Sequence, residues 1–183
     1  MTPPSAVPGL LGLIRSDLHG KAEWLYGNRG RKAVLKALLT DGTAAMIWYR
    51  LMQWSHRRRL WPLAMLFNKV NAVCCHCVIG RGAEFGPRFV LVHSTGVVVN
   101  ADVRGGAGVM LEHQVTIGAE KRQAPVLGDD VFIGAGAKVI GSVRVGDRAR
   151  VGANAVVVHD VPADSTVVGI PARVVRQRAR DVT

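Results

Sequence analysis

The stretch FVLVHSTGVVVN, residues 89–100, places His93 in a run where seven of twelve residues are Val, Leu or Phe. An imidazole ionises near neutrality, so on a rigid wall it can take a proton from a hydroxyl as a general base. Glu112 and His113, in VMLEHQVTIG, form a second candidate group for the same chemistry. The structural alternative is a polar strand position facing water for His93 and a packed corner for His113. Cys74-Cys75-His76-Cys77 has ligand types for a metal but not the spacing. Four consecutive residues converge poorly on one ion, and no distant ligand pair accompanies them, so no metal is expected. His19, His56, His76 and His159 belong to no constellation and read as structural.

A six-residue period positions these groups. Apolar residues recur at Ile79, Phe85, Leu91, Val97, Val103, Val109 and Val115, and again at Leu127, Ile133, Val139, Val145, Val151 and Val157. Gly follows at Gly80, Gly86, Gly128, Gly134, Gly146 and Gly152, and Ala is frequent four places on. Simple alternation would give a period of two. A period of six is the hexapeptide repeat of a parallel β-helix, in which three units close a triangular coil of about eighteen residues. His93, two places after Leu91 in the core column, then points outward. The interruption at 117–125, with Lys121 where an apolar residue is due and Pro125 after it, predicts a loop leaving the prism.

The first 76 residues differ. All four Trp lie before residue 62, and apolar residues recur at helical spacing over 11–26, 31–39 and 43–57, with Thr43 as an N-cap candidate. AMIWYRLMQWSHRRRLWPLAMLF reads as a helix packed on the end of the prism with Arg57–Arg59 solvated. A peripheral membrane helix is the alternative. The expected organisation is a short α-helical region over 1–76, a left-handed parallel β-helix over 77–175, and a basic tail over 176–183.

The net charge is +11 over 183 residues, and residues 1–76 carry eleven Lys/Arg against three Asp/Glu, or +8. That excess suits an anionic partner such as a phosphate-bearing cofactor; no nucleic-acid motif accompanies it. The opening MTPPSAVPGL lacks a signal-peptide pattern, and no apolar run nears the ~18 residues of a membrane span, so a cytoplasmic chain with reduced cysteines is expected.

IGRGAEFGPRFVLVHSTGVVVN, VMLEHQVTIGA and VLGDDVFIGAGAKVIGSVRVGDRARVGANAVVVHDVPADSTVVGIPARVV together resemble the serine O-acetyltransferase-like branch of the left-handed β-helix acyltransferases. The helical region is shorter than in the cysteine-pathway enzymes and looks more like versions found in exopolysaccharide and other specialised gene clusters. The resemblance implies a homotrimer with acetyl-CoA as co-substrate in a groove between neighbouring prisms. It also implies direct transfer to an acceptor hydroxyl, with His93 at the catalytic histidine. Cofactor contacts fall on Ala119, Ala135 and Ala153, where small residues let the pantetheine arm lie on the backbone, and on Arg150 and Arg173 near its phosphates. Acceptor contacts fall near Arg122 and Gln123.

The family's two carboxylates fall on Val92 and Val78, and its loop histidine on Ala124. The expected acceptor is therefore L-serine or another small-molecule or glycan hydroxyl. Glu112 or His113, one coil on from His93, are the candidates to orient it or the acceptor. The alternatives are a non-catalytic β-helix scaffold or membrane-associated assembly partner, and an N-acyltransferase acting on a sugar amine.

Overall fold

A computed structural model describes residues 8–177. Four helices come first: α1 (Leu10–Tyr26), α2 (Arg31–Leu38), α3 (Thr43–Arg57) and α4 (Trp61–Cys74). The expected continuous helix through 45–67 is broken. Pro62 lacks an N–H and its ring would clash with the carbonyl four residues back, so it sits in the first turn of α4 after a break at Arg58–Leu60. Thr43 does not cap α3. Gly42 holds that position with φ +78, and the Thr43 hydroxyl donates to the Ala37 carbonyl at 2.7 Å.

Fifteen short strands, numbered in chain order, then wind a left-handed parallel β-helix of three faces. Face one stacks β1 (Val78–Ile79), β4 (Val98–Val99), β7 (Thr116–Gly118), β10 (Lys138–Ile140) and β13 (Val156–Val157). Face two stacks β2 (Glu84–Phe85), β5 (Arg104–Gly105), β8 (Val126–Leu127) and β11 (Arg144–Val145). Face three stacks β3 (Val90–Leu91), β6 (Met110–Leu111), β9 (Phe132–Ile133), β12 (Arg150–Val151) and β14 (Ser165–Val168). The final strand β15 (Arg173–Gln177) returns antiparallel along β14, so the first two residues of the expected tail are strand. Residues 178–183 of that tail, and residues 1–7 of the opening segment, lie outside the described residues.

Every residue of the expected apolar column is buried. The column is nevertheless two columns. Leu91 pairs with Leu111, twenty residues on, whereas Phe132 pairs with Arg150, eighteen on. The turn from β3 to β4 spans the six residues 92–97, while the turns stacked beyond it (112–115, 134–137, 152–155) span four. After this turn the strand column passes to Val99, Gly105, Leu111 and Ile117. Val97, Val103, Val109 and Val115 fill the corners before the strands instead. The two added residues lie beside His93.

Helix α3 closes the first coil. Met46, Tyr49 and Met52 join Ile79, Phe85 and Leu91 in one buried cluster. The Arg50 guanidinium is fully inside and spends its donors on Asp17 Oδ2 (2.7 Å) and Oδ1 (3.0 Å), Gln53 Oε1 (2.9 Å), and the carbonyls of Phe85 (2.8 Å) and Gly86 (2.6 Å). Asp17 also accepts from the Phe89 N–H at 3.0 Å, so one ion pair fastens α1, α3 and the first coil together. Arg57, Arg58 and Arg59 are exposed as expected, with Arg57 3.6 Å from Glu84 and Arg58 over the Trp54 ring. No described helix is long and apolar enough to cross a membrane.

Candidate active site

His93 stands on the prism edge between faces three and one, with its side chain 54% exposed. The lengthened turn lifts it clear of the wall, and Ser94 beside it is buried. Docked on this turn is the link between α2 and α3. Its Asp41 was outside every sequence-based candidate set, yet its Oδ2 lies 3.1 Å from His93 Nδ1. With the proton on Nδ1, His93 donates to the carboxylate and keeps Nε2 free as a base. Asp41 thus supplies the carboxylate that Val78 and Val92 cannot.

Asp41 is itself held. Its Oδ1 accepts from the Gly42 N–H at 2.7 Å and the Ser94 hydroxyl at 3.2 Å, and its Oδ2 accepts from the Ser94 N–H at 3.4 Å. Partial burial pushes its carboxyl up, but the hydrogen bonds from Gly42, His93 and Ser94 outweigh this and hold it below the ordinary carboxylate range. Beneath the pair lies Lys21 of α1, fully buried. Its Nζ donates to the Leu91 carbonyl at 2.9 Å and to the Asp41 carbonyl. Burial pulls its ammonium down to about 8, against the attraction of Asp41.

The coil register puts His113, not Leu111, directly beyond His93 on the same edge. The two rings are 6.0 Å apart, inclined at 73°. Glu112 Oε2 is 3.8 Å from His113 Nδ1, too far for a hydrogen bond, and neither reaches the His93 ring nitrogen that Asp41 occupies. Ala135 and Ala153 continue this edge: Gly136 N–H donates to the His113 carbonyl at 2.9 Å, and Asn154 N–H to the Ala135 carbonyl at 2.8 Å. By the same bond Gln114 N–H donates to the Thr95 carbonyl at 2.9 Å, so Thr95, His113, Ala135 and Ala153 form one line parallel to the prism axis, and His93, in the lengthened turn, stands beside it with its ring against His113.

The remaining candidates lie elsewhere on the single chain. Ala119 precedes a tight hairpin on the edge between faces one and two, closed by paired backbone bonds between Glu120 and Gln123. Lys121 and Arg122 at its tip both have positive φ, as a type I′ turn requires. Arg122 and Gln123 are exposed there, apart from His93. Arg150 lies on face three with its guanidinium 4.5 Å from the Phe132 ring centroid, and that ring stacks on Trp24 at 5.3 Å. Arg150 also lines a cleft of about 430 Å³ with Arg148 and Arg176. Arg173 is exposed in β15. Cys77 is buried, which pushes its thiol up to about 12, and among the described residues no three His, Cys, Asp or Glu side chains are grouped to hold a metal.

The model of the bacterial transferase hexapeptide (six repeats) family matches residues 124–159. A serine acetyltransferase of Bacillus subtilis (strain 168) is 36% identical over 156 residues, covering 82% of this chain and 72% of that protein. One from Mycobacterium tuberculosis is 38% identical over 140 residues, covering 74% of this chain and 61% of that protein. Among solved structures, serine acetyltransferase from Vibrio cholerae superposes with a TM-score of 0.85 at 29% identity, over 97% of this chain and 69% of that one. A serine acetyltransferase in complex with CoA superposes with a TM-score of 0.82 at 28% identity, over 91% of this chain and 69% of that one.

Proposed function

Because the chain belongs to the serine acetyltransferase family, we propose that it transfers the acetyl group of acetyl-CoA to the hydroxyl of L-serine, with His93 as general base and Asp41 as its orienting carboxylate. The observation that carries this reading is the His93–Asp41 contact. A hydroxyl is a poor nucleophile until a positioned base takes its proton. Asp41 fixes the tautomer that leaves His93 Nε2 unprotonated, and stabilises the imidazolium formed when the proton arrives. The acceptor oxygen then bonds to the thioester carbonyl carbon, the carbon–sulfur bond breaks, and the proton passes from His93 to the departing sulfur.

The line of His113, Ala135 and Ala153, which starts beside His93, supports acetyl-CoA lying along this edge, with the small Ala side chains leaving the backbone open to a thin pantetheine arm. The cleft on the adjoining face, where Arg148 is paired with Asp164 and Asp130 also lines the wall, offers Arg150 and Arg176 as cations to the nucleotide phosphates. The hairpin residues Ala119, Arg122 and Gln123 stand on another edge, so they join this site only from a second copy. That arrangement supports a trimer whose sites lie between prisms. The reading is tested by incubating the protein with acetyl-CoA and L-serine and identifying the product by mass. O-acetylserine formed with release of CoA supports it. Binding of acetyl-CoA without acetylation of serine refutes the acceptor, and no binding of acetyl-CoA refutes the enzyme.

A further inference from the structure

Lysine is rarely buried, because desolvating its ammonium is costly unless the surroundings repay it. Lys21 is fully buried and, among the described residues, faces no carboxylate at ion-pair distance; its two acceptors there are main-chain carbonyls. Those carbonyls belong to the two segments that carry the catalytic pair. Leu91 ends β3, two residues before His93, and Asp41 is the partner of His93. The third body is α1, which supplies Lys21 itself. Gly42 shows how tightly the junction is packed: a Cβ built there would lie 2.4 Å from the Leu91 carbonyl oxygen and 3.1 Å from Lys21 Nζ.

Resting on the His93–Asp41 reading above, we infer that Lys21 is a positioning residue for catalysis: its ammonium clamps the Asp41 link onto the end of β3 and so holds the carboxylate in register with the His93 imidazole. Lys21 touches neither reactant and acts through Asp41. Among the described residues, the other hydrogen bonds from the docked link to the turn are those of Asp41 to Ser94 and His93. Burial also lowers the affinity of Lys21 for its proton, so folding with the charge inside works against stability. A residue with only a packing role would be better replaced by an apolar side chain of similar length.

The test compares the full-length protein with Lys21→Met, Asp41→Asn, their double variant, and His93→Ala. Two readouts are followed: release of CoA thiol from acetyl-CoA with L-serine, and the ring-nitrogen NMR shifts of His93, assigned by their loss in His93→Ala and needing no acceptor. Lys21→Met is expected to unfold at no lower a temperature than wild type near neutral pH, to keep its KM for acetyl-CoA, and to lose about tenfold or more in kcat. The double variant is expected to be no slower than Asp41→Asn, because the two act in series. The neutral His93 ring is expected to shift away from the Nδ1–H form in Lys21→Met as it does in Asp41→Asn.

Losses that multiply in the double variant, or a Lys21→Met protein with wild-type kcat and an unchanged tautomer while Asp41→Asn is impaired, would overturn the inference. Wild-type activity in His93→Ala would instead refute the general-base reading; the tautomer shifts then decide on Lys21 alone. If Lys21→Met does not fold, Lys21→Gln, which keeps a neutral donor, is read by the same two measures.

Discussion

Replacing Asp41 by Asn keeps the shape of the side chain and removes its charge. The structure sets the size of the effect. The His93–Asp41 contact is a single hydrogen bond of 3.1 Å, and the two side chains are 54% and 53% exposed. A hydrogen bond to a charged group contributes about 1.5–3 kcal/mol. Water and salt screen a half-exposed pair, so the lower end, about 1.5–2 kcal/mol, applies here. If that stabilisation is felt only as His93 becomes imidazolium, kcat falls about 10- to 30-fold at about 1.4 kcal/mol per decade. With its single oxygen in the place of Oδ1, Asn can still accept from the Gly42 N–H and the Ser94 hydroxyl, so the link should stay docked and KM for acetyl-CoA should hold. The assay is initial-rate thiol release with both substrates varied. A change in kcat below about twofold, or a loss expressed wholly in KM, would refute the pairing of Asp41 with the reacting imidazole.

Two predictions concern stability. Arg50→Met strands the Asp17 carboxylate in the interior with backbone N–H donors of Arg88 and Phe89 but no compensating charge, and should cost about 3–5 kcal/mol, lowering the unfolding temperature by roughly 6–20 °C at fixed protein concentration in calorimetry. Lys21 gives a pH signature. Its proton leaves the folded protein near pH 8 but the unfolded chain near 10.5, so above pH 8 the unfolded state holds more protons and stability rises with pH. The Tyr49 and Cys77 groups, pushed up to about 12 by burial, work in the opposite sense in the same range. The difference between wild type and Lys21→Met removes their contribution. In urea unfolding from pH 8 to 10.5 it should move by up to about 3 kcal/mol in favour of wild type, and a flat difference would show that the lysine is not desolvated.

The β-helix was legible because its core is a repeating one-dimensional pattern. Each column residue is buried whatever its neighbours do, so periodicity carries the fold. The two-residue shift after Leu91 was not legible. Val97 and Val99, Val103 and Gly105, Val109 and Leu111 offer two parallel columns, and every member but the half-buried Gly105 is buried. That ambiguity displaced the coil partner of His93 by two residues, from His113 to Leu111. His93 itself was readable from its place in the repeat and its family motif. Asp41 was not, because it lies 52 residues earlier in the chain, at an Asp-Gly pair that reads only as a break between helices. Nothing local marks a carboxylate as the partner of a distant imidazole. Lys21 was hidden for the same reason, as one cation on a helix in a strongly basic segment. The clue that was present was indirect: the family's carboxylate positions were occupied by Val78 and Val92, so an orienting group had to come from elsewhere.

The central claim is that His93 is the base for acetyl transfer. The most direct test is His93→Ala in the full-length protein, with saturating acetyl-CoA and L-serine, following CoA thiol release and measuring acetyl-CoA binding alongside. A fall in kcat of about 10²–10⁴-fold is expected, with acetyl-CoA still bound at wild-type affinity. Turnover near the wild-type rate would contradict it.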